Sequence, residues 1–122
     1  MSTSDRRTAL ELGARAERAV ADALESDGWT VLARNWRGGN GELDVVVERD
    51  GVLRFVEVKA RAEADPTLAD AVTDSKRRRL VSAARTWLLE HGARNECAFL
   101  VALVSTGTPW KIEWIDNAFD VR

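Results

Sequence analysis

Asp50-Gly51 stands between two runs rich in β-branched and aromatic residues, and no other dipeptide in the chain restricts its folding as tightly. Asp-Gly at such a place predicts a two-residue type I′ hairpin, because both central residues of that turn need positive φ. The turn also sets the register. Arg49 faces Val52, Val46 faces Phe55 and Asp44 faces Glu57 along the ladder. One face of the hairpin then presents Val46, Leu53 and Phe55, and the other Val45, Val47, Val52, Val56 and Val58. Apolar residues on both faces are expected of central strands covered on each side.

The elements that cover them are readable from periodicity. From Ser4 to Asp27 the apolar residues Leu10, Val20 and Leu24, with Ala14 and Ala21, recur at helical spacing, and Gly28 closes the helix. Trp29 to Trp36 reads as a strand, followed by a glycine-rich loop from Arg37 to Glu42. After a polar connection from Ala62 to Asp70, a second helix runs from Thr73 to His91 with a core stripe of Leu80, Ala84, Trp87 and Leu88, ending at Gly92. Cys97 to Val104 is an unbroken apolar run, as in a fully buried strand, and Trp110 to Ile115 alternates as a strand exposed on one side. The final DNAFDVR has no assignment. At 122 residues the expectation is a single domain over 1–122, an α/β fold with a mixed central sheet flanked by two helices.

Composition narrows function by exclusion. The formal net charge of −2 gives no overall attraction for nucleic acid, so any such affinity must come from local patches. The single cysteine, Cys97, leaves no internal disulfide or cysteine-rich zinc site and reads as a small buried hydrophobe. With no apolar stretch of signal-peptide or membrane-spanning length, the expected location is cytoplasmic, away from membrane.

The chemistry is expected where the register gathers charge. Asp44 and Glu57 are placed opposite each other, and Lys59, two residues beyond Glu57, shares their face. A divalent cation would offset the mutual repulsion and desolvation of two carboxylates, binding through them and keeping waters or phosphate oxygens in its other positions. Lys59 could then orient or deprotonate an attacking water. A plain salt bridge between Lys59 and either carboxylate is the structural alternative. Two anomalies weigh against it. Glu17 occupies a core-facing position in the stripe Leu10, Gly13, Glu17, Val20, Leu24, and Lys76 lies in line with Leu80, Ala84 and Trp87, although its alkyl stem could snorkel to solvent.

These residues occur within a longer pattern: GARAERA at 13–19, RNWR at 34–37, GELD at 41–44, FVEVKAR at 55–61, AVTDSK at 71–76 and NAF at 117–119. The pattern resembles the uncharacterised YraN-like proteins, of the PD-(D/E)XK (restriction-endonuclease-like) nuclease superfamily. That resemblance implies a restriction-endonuclease-like fold and Mg²⁺- or Mn²⁺-dependent hydrolysis of DNA phosphodiesters. Asp44, Glu57 and Lys59 would take the catalytic positions. Glu17 would be an additional helix-borne acidic residue completing the metal shell, and Lys76 belongs beside them. Ala98-Phe99-Leu100 departs from the Arg-Phe-Asp-like segment usual in the buried strand.

Nucleic-acid contacts are expected from Lys76, Arg77 and Arg78 at the start of the second helix, where consecutive basic residues, with Arg79, fan around the axis. A solvated helix face is the competing reading. Arg34 and Arg37 flank Trp36, a cation and stacking combination suited to unpaired bases, and Arg61 could reach a scissile phosphate. Among the other tryptophans, Trp87, Trp110 and Trp114 are expected to pack. The rival to a nuclease is a non-catalytic nucleic-acid or protein-binding module that retains the fold. A homodimer is compatible with the sequence, which identifies no self-complementary surface.

Overall fold

The computed structural model describes residues 3–61 and 74–116, with side chains from residue 8 onward. It comprises α1 (Thr3–Ser26), β1 (Thr30–Gly38), β2 (Gly41–Arg49), β3 (Val52–Arg61), α2 (Asp74–Glu90), β4 (Glu96–Ser105) and β5 (Lys111–Asp116). The strands form one mixed sheet in sequence order β1-β2-β3-β4-β5, antiparallel except for the parallel β3–β4 pair. The connection of 62–70, Thr73 and the NAF segment lie outside the described residues.

The β2–β3 turn has φ of 51° at Asp50 and 79° at Gly51, as a type I′ turn requires, and pairs Arg49 with Val52 and Val46 with Phe55. Both helices stop in the way their sequences predict. After α1, Trp29 N donates to Leu24 O at 3.0 Å and Gly28 N to Glu25 O at 3.0 Å; after α2, Ala93 N donates to Leu88 O at 3.0 Å. Those bonds satisfy orphan carbonyls around left-handed Gly28 and Gly92.

Each face of the sheet carries its own core. Leu43, Val46, Leu53, Phe55 and Phe99 pack against Leu80, Ala83, Ala84, Trp87 and Leu88 of α2. Val45, Val47, Val56, Leu100, Ala102 and Val104 pack against Ala16, Val20 and Leu24 of α1. The first core is knit by aromatics, with Phe55 edge-on to Trp87 at 5.9 Å and Trp87 stacked on His91 at 4.1 Å.

Four expectations need correction. The Arg37–Glu42 segment is not an open loop: β1 and β2 extend into it, pairing Arg37 with Glu42 and Gly38 with Gly41, so only Gly39-Asn40 turns the chain. Leu10 is 71% exposed, because the start of α1 precedes its first buried residue, Ala16. On β5, Ile112 alone is half-buried and Trp114 is 38% exposed, as befits an edge strand with one neighbour. Cys97 is half-buried at the margin of the α2-side core rather than enclosed.

Candidate active site

The site forms where β2 and β3 part. Their ladder runs from Arg49↔Val52 to Val45↔Val56 and stops. Regular continuation would make Leu43 and Val58 the next hydrogen-bonded pair. Instead the Val58 amide donates to the Asp44 carboxylate, at 2.9 Å. The expected ladder pairing of Asp44 with Glu57 is thus replaced by a side chain inserted between the strands.

A second irregularity supports this opening. Leu43 and Val46 both pack on the α2 side although three residues apart, as do Ala33 and Trp36 on β1. The period of two is therefore lost in both strands, at Asp44 and at Asn35, the two residues missing between the pairs Arg34↔Val45 and Trp36↔Leu43. Asn35 has φ of 50°, a conformation that Asn tolerates better than most side chains. Its side chain favours the ionised form of Glu17 on α1. Sequence reasoning missed Asn35. The available signal was a weak β-former within an otherwise strand-like run.

Glu57 is the one buried charged residue among those described, 4% exposed. Its Oε1 receives two ammonium groups, Lys76 Nζ at 2.6 Å and Lys59 Nζ at 3.7 Å. Lys76 comes from the first turn of α2 and Lys59 from β3 itself, so two ammonium groups from different elements meet at Glu57. Burial, with the Glu57 charge and a hydrogen bond to Glu57, pushes the Asp44 carboxyl up to about 8 against the hydrogen bond from Val58. Burial and the neighbouring Lys76 lower the pKa of Lys59, against the opposing charges of Glu57 and Asp44. Burial opposes the charge of Lys76, but Glu57 outweighs it and raises the pKa. Glu17 is raised by burial, partly offset by Asn35, and feels the charges of Glu42 and Glu57. Among the described residues no three acidic, His or Cys side chains gather tightly enough to hold a metal. The close carboxylate pair is Asp44 and Glu57, with Glu17 at longer electrostatic range.

A cleft of about 690 Å³ opens over this pair, walled by the β1–β2 turn from Arg37 to Glu42 and by Lys76, Arg79 and Leu80 of α2. The wall is set by close backbone approach. A Cβ on Gly41 would collide with the Arg79 carbonyl, and one on Gly39 would lie 2.6 Å from Ser82 Oγ. Arg37 and Arg79 stand exposed at the rim, Arg37 3.8 Å from Glu42.

The other expected contacts are dispersed. Arg77 and Arg78, with Arg85, border a separate groove of about 420 Å³ on α2, together with Val81 and Leu89. Arg34 is exposed on β1. Trp36 is half-buried against the α2-side core, its ring beneath Gly38. Arg61 does not border the cleft: its guanidinium reaches Ser105 Oγ at 3.4 Å and Glu113 at 3.7 Å, bracing β3 against β4 and β5.

The donor set fits a hard divalent cation. Two carboxylates supply oxygen ligands, and the cleft leaves room for the waters such an ion retains. No described helix is long and apolar enough to cross a membrane.

Residues 16–105 match the model of an uncharacterised protein family, UPF0102. A UPF0102 protein of Gloeobacter violaceus is 49% identical over 123 residues, covering 95% of this chain and 96% of the relative. Another from Nitratidesulfovibrio vulgaris is 41% identical over 114 residues, covering 89% and 84%, and one from Saccharophagus degradans is 38% identical, covering 92% and 95%.

Proposed function

The chain belongs to the uncharacterised family UPF0102, and from that premise we propose that it is a metal-dependent nuclease of restriction-endonuclease-like fold, hydrolysing DNA phosphodiesters. One observation carries the reading: two interacting carboxylates, Asp44 and Glu57, sit with Lys59 and Lys76 under an arginine-rimmed cleft at a break in the sheet. A purely structural ion pair has no need of a second carboxylate whose ionisation is suppressed, since buried like charges weaken the fold.

Asp44 and Glu57 would hold Mg²⁺ or Mn²⁺, with Glu17 acting on the shell from α1. Bound there, the cation would supply Lewis-acid polarisation of the phosphoryl group and an acidified water. Lys59, its proton loosened by burial and by Lys76, orients the attacking water or accepts its proton. Arg37 and Arg79 at the rim hold phosphates flanking the scissile one, as bidentate donors do. Lys76 compensates the buried charge of Glu57 in the cation-free chain, and Asn35 favours the ionised form of Glu17.

The test is cleavage of plasmid, linear, single-stranded and branched DNA by the purified chain in Mg²⁺ or Mn²⁺. Lys59→Ala should abolish cleavage while leaving the fold nearly intact; undiminished cleavage by that variant rules out the assignment. The second reading, a nucleic-acid-binding module without catalysis, draws on the exposed Arg77 and Arg78 beside a groove separate from the cleft. It predicts DNA binding that survives loss of Lys59 and fails on charge reversal at those arginines.

A further inference from the structure

Two ammonium groups on one carboxylate oxygen is more positive charge than Glu57 needs. Lys76 makes the shorter contact, 2.6 Å against 3.7 Å for Lys59, and is the one that touches the oxygen. The two lysines differ in their freedom to leave. Lys59 is fixed on a strand paired along its whole length with β4, while Lys76 is the third residue of α2. Lys76 borders the cleft, and Lys59 is not among the residues that line it. Both side chains are 27% exposed, so it is access to the cleft, not burial, that separates them.

A divalent cation held by Asp44 and Glu57 would add its charge where two ammonium groups already meet a carboxylate. Adding two positive charges beside them is unfavourable at close range unless one withdraws. We propose that Lys76 is the resident counter-ion of this cation site, occupying the Glu57 oxygen while no divalent cation is bound and swinging into the cleft when one arrives. The inference rests on the cation reading above. The ammonium on a flexible four-carbon stem is suited to such exchange: it keeps a buried carboxylate compensated in the metal-free protein and yields to an ion of higher charge. In the cleft, water or the phosphates of a bound nucleic acid take over as its partners.

A merely structural Lys76 and a competing Lys76 predict opposite signs. If Lys76 only braces Glu57, removing it disorders the ligand and weakens cation binding. If it competes, removing it strengthens binding. The experiment is calorimetric titration of the full chain with Mn²⁺, native against Lys76→Met and Lys76→Arg, with folding of each checked by circular dichroism. Lys76→Met should bind Mn²⁺ about tenfold or more tightly than native, from the loss of one adjacent charge. Lys76→Arg should restore the weaker native affinity. Where the Met variant does not fold without cation, Lys76→Gln, which keeps a donor for Glu57, serves in its place with the same expectation. Native binding equal to or tighter than that of the neutral variants overturns the counter-ion role and leaves the metal site standing. Absence of Mn²⁺ binding in every folded form overturns both.

Discussion

The Asp44 carboxylate accepts the Val58 amide at 2.9 Å, in the position where regular β-pairing would put a backbone carbonyl of Leu43. One side chain thereby ends the β2–β3 ladder and makes the site. It satisfies the orphaned amide, keeps the strands apart and brings its own carboxyl into the reach of Glu57. The geometry of the fold and the chemistry of the cleft therefore depend on the same residue.

That dependence has a pH signature. Asp44 is held at about 8 in the folded chain, above its ordinary value of 3.8. A carboxyl raised in this way binds its proton more tightly when folded, so its contribution to stability is complete below pH 3.8 and is lost progressively as pH rises toward 8. The slope attributable to Asp44 is at most about 1.4 kcal/mol per pH unit. Urea denaturation of the metal-free protein across this range should show Asp44→Asn gaining on the native chain as pH rises. A difference between the two that does not change with pH contradicts the assignment.

The close seat of the β1–β2 turn on α2 predicts a contrast between two glycines. Gly41→Ala drives a methyl into the Arg79 carbonyl, which cannot rotate away, and should cost about 1–3 kcal/mol. Gly13→Ala, on α1 with nothing within 4 Å of the new methyl, should stabilise by about 0.5–1 kcal/mol. Chemical denaturation of both variants measures the pair. A neutral Gly41→Ala would mean that the turn is not seated on α2 as described.

Arg77 and Arg78 lie away from the cleft, so their removal should alter binding and not chemistry. Arg77→Glu with Arg78→Glu should weaken DNA association and lower the slope of log affinity against log salt by about 1–2, one increment for each phosphate no longer neutralised. Fluorescence anisotropy across a salt series reads both. An unchanged slope assigns these arginines to a solvated helix face.

Much of this arrangement is legible in the sequence, for identifiable reasons. Asp50-Gly51 fixes a register because few dipeptides accept two positive φ values, and the first five pairs follow from it. Lys76 stands out as a charged residue in line with an apolar helical stripe, but the stripe alone does not name Glu57 as its partner. The departures have physical causes too. A strict period of two treats every strand residue as extended, so it hides the irregularities at Asn35 and Asp44 that separate the strands. Counting glycines suggests an open loop at 37–42, whereas Gly38 and Gly41 lie in strands and Gly41 in particular permits close packing on a helix. Arg61 follows Lys59 closely in sequence, but two residues of strand carry it about 6–7 Å onward, to Ser105 and Glu113.

On the proposed function Asp44 and Glu57 together hold a divalent cation. Calorimetric titration with Mg²⁺ and Mn²⁺ tests it most directly, comparing the native chain with Asp44→Asn and Glu57→Gln. Saturable binding by the native protein, lost in both folded variants, is the predicted result. No binding by the native chain, together with a gain in stability in either variant, would contradict it and identify the two carboxylates as a repulsive pair with no cation to join them.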